Sequence, residues 1–350
     1  MTLMPEFLRH TNKLVAPSGY EMDILDLWAS SIRPNVDEVY TDTIGNVIAY
    51  RKGRNCHKIM LAAHSDEIGL IIRYIDERGF LYFDEIGAID THLLPGRRVT
   101  VRTKTGEYVH GIIGAVPIHL KDNQSEVKEL TSDHLWIDIN AKNKKEAEQK
   151  IRIGDVAVIS SEMIQCGSRL TGRAMDNRCS LSTLISVARS IVGCDLDDDI
   201  YFVATVQEEL RARGAQTAAY TLKPDVCIVL DVTHATDYPS MSAIRHGDIS
   251  LGKGAVIAIG PNMTPCVSNG LIALCEHKDI PHQIEAIGRP TGTDANTIQL
   301  VRSGIAVGLV SIPCRYMHSP VEIVDNNDLE ATAYLLSEYM KDFERYLINL

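Results

Sequence analysis

Apolar residues at 24, 25, 28 and 32 follow the polar turn Pro17-Ser18-Gly19-Tyr20-Glu21 at helical spacing, and Pro34 ends the run. Strand-like runs occupy 36–40 and 46–50. The segment Lys58-Ile59-Met60-Leu61-Ala62-Ala63 is almost continuously apolar, which predicts a strand covered on both faces. From about 70 to 160 the pattern shortens. Alternating runs at 80–83, 98–102 and 111–116 are separated by glycine-rich or charged turns, as in a small β-domain. One charged helical stretch, 141–150, lies inside it, and 154–159 reads as its last strand.

Beyond Thr171 the α/β rhythm returns. Helices are expected at 177–191, 214–222, 270–277 and 295–302, strands at 200–206, 226–230, 255–259 and 305–310, and a long C-terminal helix from Asn327. The simplest architecture is an α/β domain, 1–69 and 166–350, interrupted by a β-domain at 70–165. No internal repeat or low-complexity segment breaks this scheme.

Composition narrows the function. With 45% hydrophobic and 23% charged residues the chain resembles an ordinary globular protein. Its formal charge of −11 disfavours nucleic acid or an anionic membrane as partner, because both repel it. The start, Met1-Thr2-Leu3-Met4-Pro5-Glu6, lacks a secretory pattern, and no run approaches the roughly 20 apolar residues of a membrane span. A cytoplasmic location is expected. The eight cysteines are scattered without a C-x-x-C pair and read as buried free thiols.

Five segments place acids or histidines at strand ends or in sharp loops, where open α/β sheets build their sites. His64-Ser65-Asp66-Glu67-Ile68-Gly69 follows the buried run, and Asp66 is positioned to accept the second ring N–H of His64. Arg173-Ala174-Met175-Asp176-Asn177-Arg178 precedes a helix, so Asp176 or Asn177 is equally an N-cap. Gln207-Glu208-Glu209 ends an apolar strand, where paired carboxylates are costly unless they bind a cation or a proton. One could ligate a metal while its neighbour serves as a general base. Asp231 ends another buried strand, and His318 sits in the loop Arg315-Tyr316-Met317-His318-Ser319-Pro320. Capping and structural roles are open for each alone. Together they form an N/O donor set suited to Zn²⁺, Co²⁺ or Mn²⁺ rather than a thiolate site.

At these residues the chain resembles the TET-type dinuclear metallo-aminopeptidases, which include glutamyl and leucyl aminopeptidases and some relatives labelled endoglucanase. The motifs H-x-D-E-I-G, M-D-N-R, Q-E-E, G-T-D-A and H-S-P occur in this order, with Trp136-Ile137-Asp138-Ile139 in the β-domain and Asp328 downstream. The resemblance implies a phosphorylase/hydrolase-like mixed sheet flanked by helices, carrying a small PDZ-like β-barrel used for dimerisation. It implies two divalent metal ions per subunit, with Asp176 bridging them. His64 and Asp231 would complete one site, and Glu209 and His318 the other. Glu208 would be the general base and Asp66 would hold His64. Peptides with a free N-terminus would be the substrates. Dimers would build a hollow tetrahedral dodecamer.

Two positions depart from the family pattern. Arg211 stands where a small residue is usual, which makes it a candidate influence on substrate preference. Asn140 stands where glycine is common. Asp294, in Gly292-Thr293-Asp294-Ala295, matches a family loop near the site without an assigned role. Two other readings compete. A glycosidase could use Glu208 and Glu209, but its carboxyls must flank a sugar bond at about 5 Å or more, and the histidine and aspartate segments would then have no task. An inactive metal-binding subunit would be expected to have lost Glu208 or a ligand, and none is lost.

Overall fold

A computed structural model of the chain describes residues 4–54, 56–120 and 130–346. The first three residues, on which part of the leader expectation rests, lie outside that range. The central feature is an eight-stranded mixed sheet. Its spatial order is Glu38–Thr41, Val47–Arg51, Asp199–Thr205, Lys58–His64, Val226–His234, Ala306–Cys314, Ala255–Ile259 and His282–Ala286. The four middle strands, from Asp199–Thr205 to Ala306–Cys314, run parallel, and the hairpin Glu38–Arg51 adds antiparallel strands at one edge.

The continuous apolar run is explained by cover on both faces. Ile59, Leu61 and Ala63 join one core, shared with helices Met22–Ile32, Met175–Ser190, Pro265–Lys278 and Asn326–Lys341. Met60 and Ala62 point to the opposite core, which includes Ala215, Ala218, Ala219 and Leu222 of helix Arg213–Leu222 and Ala295 and Ile298 of helix Asp294–Ile298.

Six strands close an antiparallel barrel in the order Gly69–Ile75, Leu81–Ile86, Trp136–Asp138, Tyr108–Gly114, Arg98–Arg102 and Val156–Ile159. Closure removes free strand edges, and Leu70, Ile72, Phe83, Val99, Val101, Ile113 and Ile137 fill the interior. Asn140 takes the left-handed backbone at φ 58°, with its N–H donating to Asp138 Oδ1 at 2.7 Å. Asparagine tolerates that conformation, so the loss of a glycine there is absorbed locally.

A three-stranded sheet of Ile164–Cys166, Arg169–Gly172 and Glu322–Asp325 was not anticipated from the sequence. All eight cysteines are free. Four of them, Cys179, Cys227, Cys275 and Cys314, are buried as expected, whereas Cys56 and Cys166 are exposed. No helix among the described residues is long and apolar enough to cross a membrane.

Candidate active site

The parallel strands deliver most of the chemistry at their carboxyl ends. His64 is the last residue of its strand and pairs beside Thr205, the last residue of the neighbouring one. The turn that follows carries Gln207, Glu208 and Glu209, with Gln207 at φ 56°. Asp231 lies within the strand Val226–His234, which runs four residues beyond the predicted end. Asp176 comes from the start of helix Met175–Ser190. Its first turn is irregular, with Ala174 left-handed and a cis peptide bond between Asp176 and Asn177.

Asp176 occupies the centre. Its Oδ1 is 2.9 Å from His64 Nε2 and its Oδ2 is 3.2 Å from His318 Nε2. His64 Nε2 also lies 3.7 Å from Asp231 Oδ1, and His318 Nε2 lies 3.1 Å from Glu209 Oε1. Two groups with convergent ligand atoms result, His64–Asp176–Asp231 and Asp176–Glu209–His318, with Asp176 common to both. Asp176 therefore faces two imidazoles and does not act as a simple helix cap. Glu208 belongs to neither group and lines the cleft of ≈ 1310 Å³ that opens over the cluster.

Both imidazoles present Nε2 because Nδ1 is engaged elsewhere. His318 Nδ1–H donates to the carbonyl of Ala88, 3.0 Å away in the loop after barrel strand Leu81–Ile86. His64 Nδ1 lies 3.1 Å from the main-chain carbonyl of Asp66 and 3.5 Å from its Oδ1. Asp66 thus reaches His64 Nδ1 through its backbone carbonyl as well as through its carboxylate. The carboxylate has further partners. It accepts the N–H groups of Glu208 and Glu209, each at 3.0 Å, and the hydroxyl of Ser18 at 2.6 Å.

Two supporting acids escaped the sequence reading. Glu322 accepts the N–H of Asp176 at 3.1 Å and that of His318 at 2.8 Å, tying together residues 142 positions apart in the chain. Its place four residues after His318 was a signal, but an exposed loop acid would look the same. Glu67 is buried between Arg173 and Arg178 and also accepts the N–H of Ala16 at 3.1 Å. That ion triad anchors the segment on either side of Asp176.

The cluster holds more negative charge than its own histidines neutralise. Burial pushes Glu208 well above the ordinary carboxylate range, and Asp231, Asp294 and Glu209 add to the shift against the pull of His64. Burial, with Asp176 nearby, raises Asp231 to about 6. Burial and Asp176 raise Glu322 to about 8. Burial alone would lower His318, yet contacts with Asp176 and Glu209 lift it to about 11. Burial likewise opposes charge on Asp176, but His318 and His64 hold its carboxyl below the usual range. No lysine or arginine among the described residues forms an ion pair with Asp176, Glu208, Glu209 or Asp231. Buried carboxylates are stable only when paired or metal-bound. One imidazole and two carboxylates in each group are the donors that divalent zinc, cobalt or manganese accept, so the residues fit such ions.

The profile of the M42 glutamyl aminopeptidase family matches residues 45–335. The chain belongs to this family. Relatives within and around it agree over almost the full length. A lysyl aminopeptidase of Pyrococcus furiosus is 36% identical over 331 residues, covering 93% of this chain and 94% of the relative. An aminopeptidase from the archaeon Desulfurococcus kamchatkensis superposes with a TM-score of 0.90 at 39% identity, covering 97% of this chain and 94% of the other. The TET1 peptidase of Pyrococcus horikoshii, which can assemble into a tetrahedron or a large octahedral shell, superposes with a TM-score of 0.86 at 31% identity, covering 96% and 99%.

As a member of the M42 family the chain is an aminopeptidase, and the remaining sequence candidates can be placed within it. Arg211 is exposed in the left-handed turn after Glu209, at φ 75°, and is not among the residues lining the cleft. Asp294 is buried behind the cleft wall. Its Oδ2 accepts the Thr205 hydroxyl at 2.6 Å, and burial raises it to about 7. Neither is among the residues that line the cleft. The glycosidase alternative loses its carboxylate pair, since Glu209 is committed to His318.

Proposed function

We propose that this M42 chain removes N-terminal residues from peptides using two divalent metal ions, Zn²⁺ or Co²⁺ with Mn²⁺ also compatible. His64 and Asp231 would hold one ion, Glu209 and His318 the other, and Asp176 both. The observation that carries this reading is the single carboxylate of Asp176 turned to two imidazoles at once. When bound, such ions supply Lewis-acid polarisation of the scissile carbonyl and acidify a water.

The rest of the chemistry falls to the chain. Glu208 lines the cleft outside both ligand groups, and its high proton affinity suits it to take a proton from the attacking water. It then returns that proton to the leaving amine. Asp66 fixes the backbone of Glu208 and Glu209 together, so base and ligand move as one unit. Glu322 does the same for Asp176 and His318.

The barrel within residues 70–165 would serve as the contact module of a dimer, and dimers would close into a hollow tetrahedral dodecamer in the cytoplasm. The self-assembling TET1 relative supports the shell, and the eight unpaired cysteines suit a reducing compartment. Hydrolysis of aminoacyl-chromophore substrates after loading with Zn²⁺ or Co²⁺ tests the function. Turnover should require metal, and Glu208→Gln should lower kcat by about 10²–10⁴-fold while bound metal is retained. Turnover that survives in the variant would remove Glu208 from the reaction.

A further inference from the structure

Past Asp231 the cleft continues along strand Val226–His234 toward the edge strand His282–Ala286. There it is lined by Glu285, a half-buried acid whose Oε2 accepts the Thr233 hydroxyl at 2.9 Å. Thr233 is its one hydrogen-bond donor, and no basic side chain forms an ion pair with it among the described residues. Burial raises its pKa, as expected of a carboxylate without a countercharge.

Its position relative to the ligand cluster is defined by the strand. Asp231 and Thr233 are two residues apart and share a sheet face, which separates them by about 6.6 Å along the strand. The Glu285 carboxylate lies one hydrogen bond beyond Thr233, in the same cleft that Asp231 lines. Leu309 and Ile287 line the same cleft and offer apolar contact to a methylene stem.

We propose that Glu285 determines specificity for the substrate's N-terminal side chain, and that the enzyme prefers lysine or arginine there. The inference rests on the aminopeptidase reading and adds the substrate class. An ammonium or guanidinium group reaching Glu285 supplies the missing countercharge in a partly desolvated setting, where a charge-assisted hydrogen bond is strong. The cleft also carries Arg245, His246 and Arg289, but these are exposed. Exposed cations are already solvated and contribute little to selecting an acidic side chain.

The test compares kcat/KM of the metal-loaded protein on lysyl, norleucyl and glutamyl chromophore substrates. Norleucine matches the lysine stem without its charge. The lysyl-to-norleucyl ratio should exceed about tenfold, the effect of one charge-assisted contact. Glu285→Gln should bring that ratio near unity, and Glu285→Arg should shift preference toward the glutamyl substrate. A glutamyl preference in the wild type, or a lysyl ratio unchanged in both variants, would overturn the assignment of Glu285. Turnover of norleucyl substrate in either case would leave the aminopeptidase reading standing. Absence of turnover on all three substrates with metal bound would overturn both.

Discussion

At the scale of single residues, the centre depends on acids that never need to touch a substrate. Asp66 is the clearest case: its carboxylate gathers Ser18, Glu208 and Glu209, while its carbonyl faces the imidazole of His64. Asp66→Asn keeps the size but turns an amide NH₂ toward one of these N–H donors. Groups that orient metal ligands typically contribute 10–100-fold to affinity or activity, so the variant should lose activity by about that factor. Circular dichroism should remain native. A variant as active as the wild type would show that the turn holds its shape without Asp66. The sequence revealed Asp66 because it sits two residues from a strand-end histidine. It could not show that the backbone of Glu208 and Glu209, 142 and 143 positions away, would be its principal partners. Glu322 and Glu67 were missed for the same reason, since their significance arises only from contacts distant in the chain.

At the scale of elements, legibility followed burial. Strand Lys58–His64 was evident because both of its faces are covered, which forces a continuous apolar run. Strand His282–Ala286 was not, because an edge position lets it carry His282, Gln283 and Glu285. Strand Ala306–Cys314 runs four residues past the expected end at 310, and the sheet accommodates Pro313 beside Thr233. The barrel was visible as a class but not as a contributor to the site, although its outgoing loop orients His318 through Ala88.

Gly87, in that loop, shows how closely barrel and sheet approach. A Cβ built there would lie 2.7 Å from Ile68 Cγ2 and 3.3 Å from Glu209 Oε2, at a φ of +79°. Gly87→Ala should therefore lower both thermal stability and metal affinity, measured by unfolding scans with and without added Zn²⁺. If only stability fell, Glu209 would be insensitive to the barrel's position.

Helix Asn326–Lys341 is tied to the loop before strand Ala255–Ile259 by Asp328, which accepts the N–H groups of Gly252 and Gly254 at 2.7 and 2.6 Å. Burial outweighs those bonds and raises its pKa from 3.8 to about 7. An acid raised on folding contributes most below its unfolded pKa, and that contribution is lost as pH rises through the folded value. Asparagine has no such titration. Between about pH 4.5 and about pH 7.5, the Tm of Asp328→Asn relative to the wild type should rise. A constant difference would mean that Asp328 is not protonated on folding.

At the scale of the whole molecule, one organisation explains the rest. A buried parallel sheet brings His64, Asp231 and the Glu208–Glu209 turn to a common edge, a helix start adds Asp176 and a loop adds His318. Among the described residues these acidic side chains have no lysine or arginine partners, and cation binding would neutralise the centre. Membership of the M42 family agrees with this physical reading. The most direct measurement is the number of Zn²⁺ ions bound per chain after equilibrium dialysis, in the wild type and in Asp176→Ala. The account predicts two ions in the wild type and loss of at least one in the variant, with activity lost. Two ions retained without the Asp176 carboxylate, or a single ion in the fully active wild type, would contradict a shared two-metal centre.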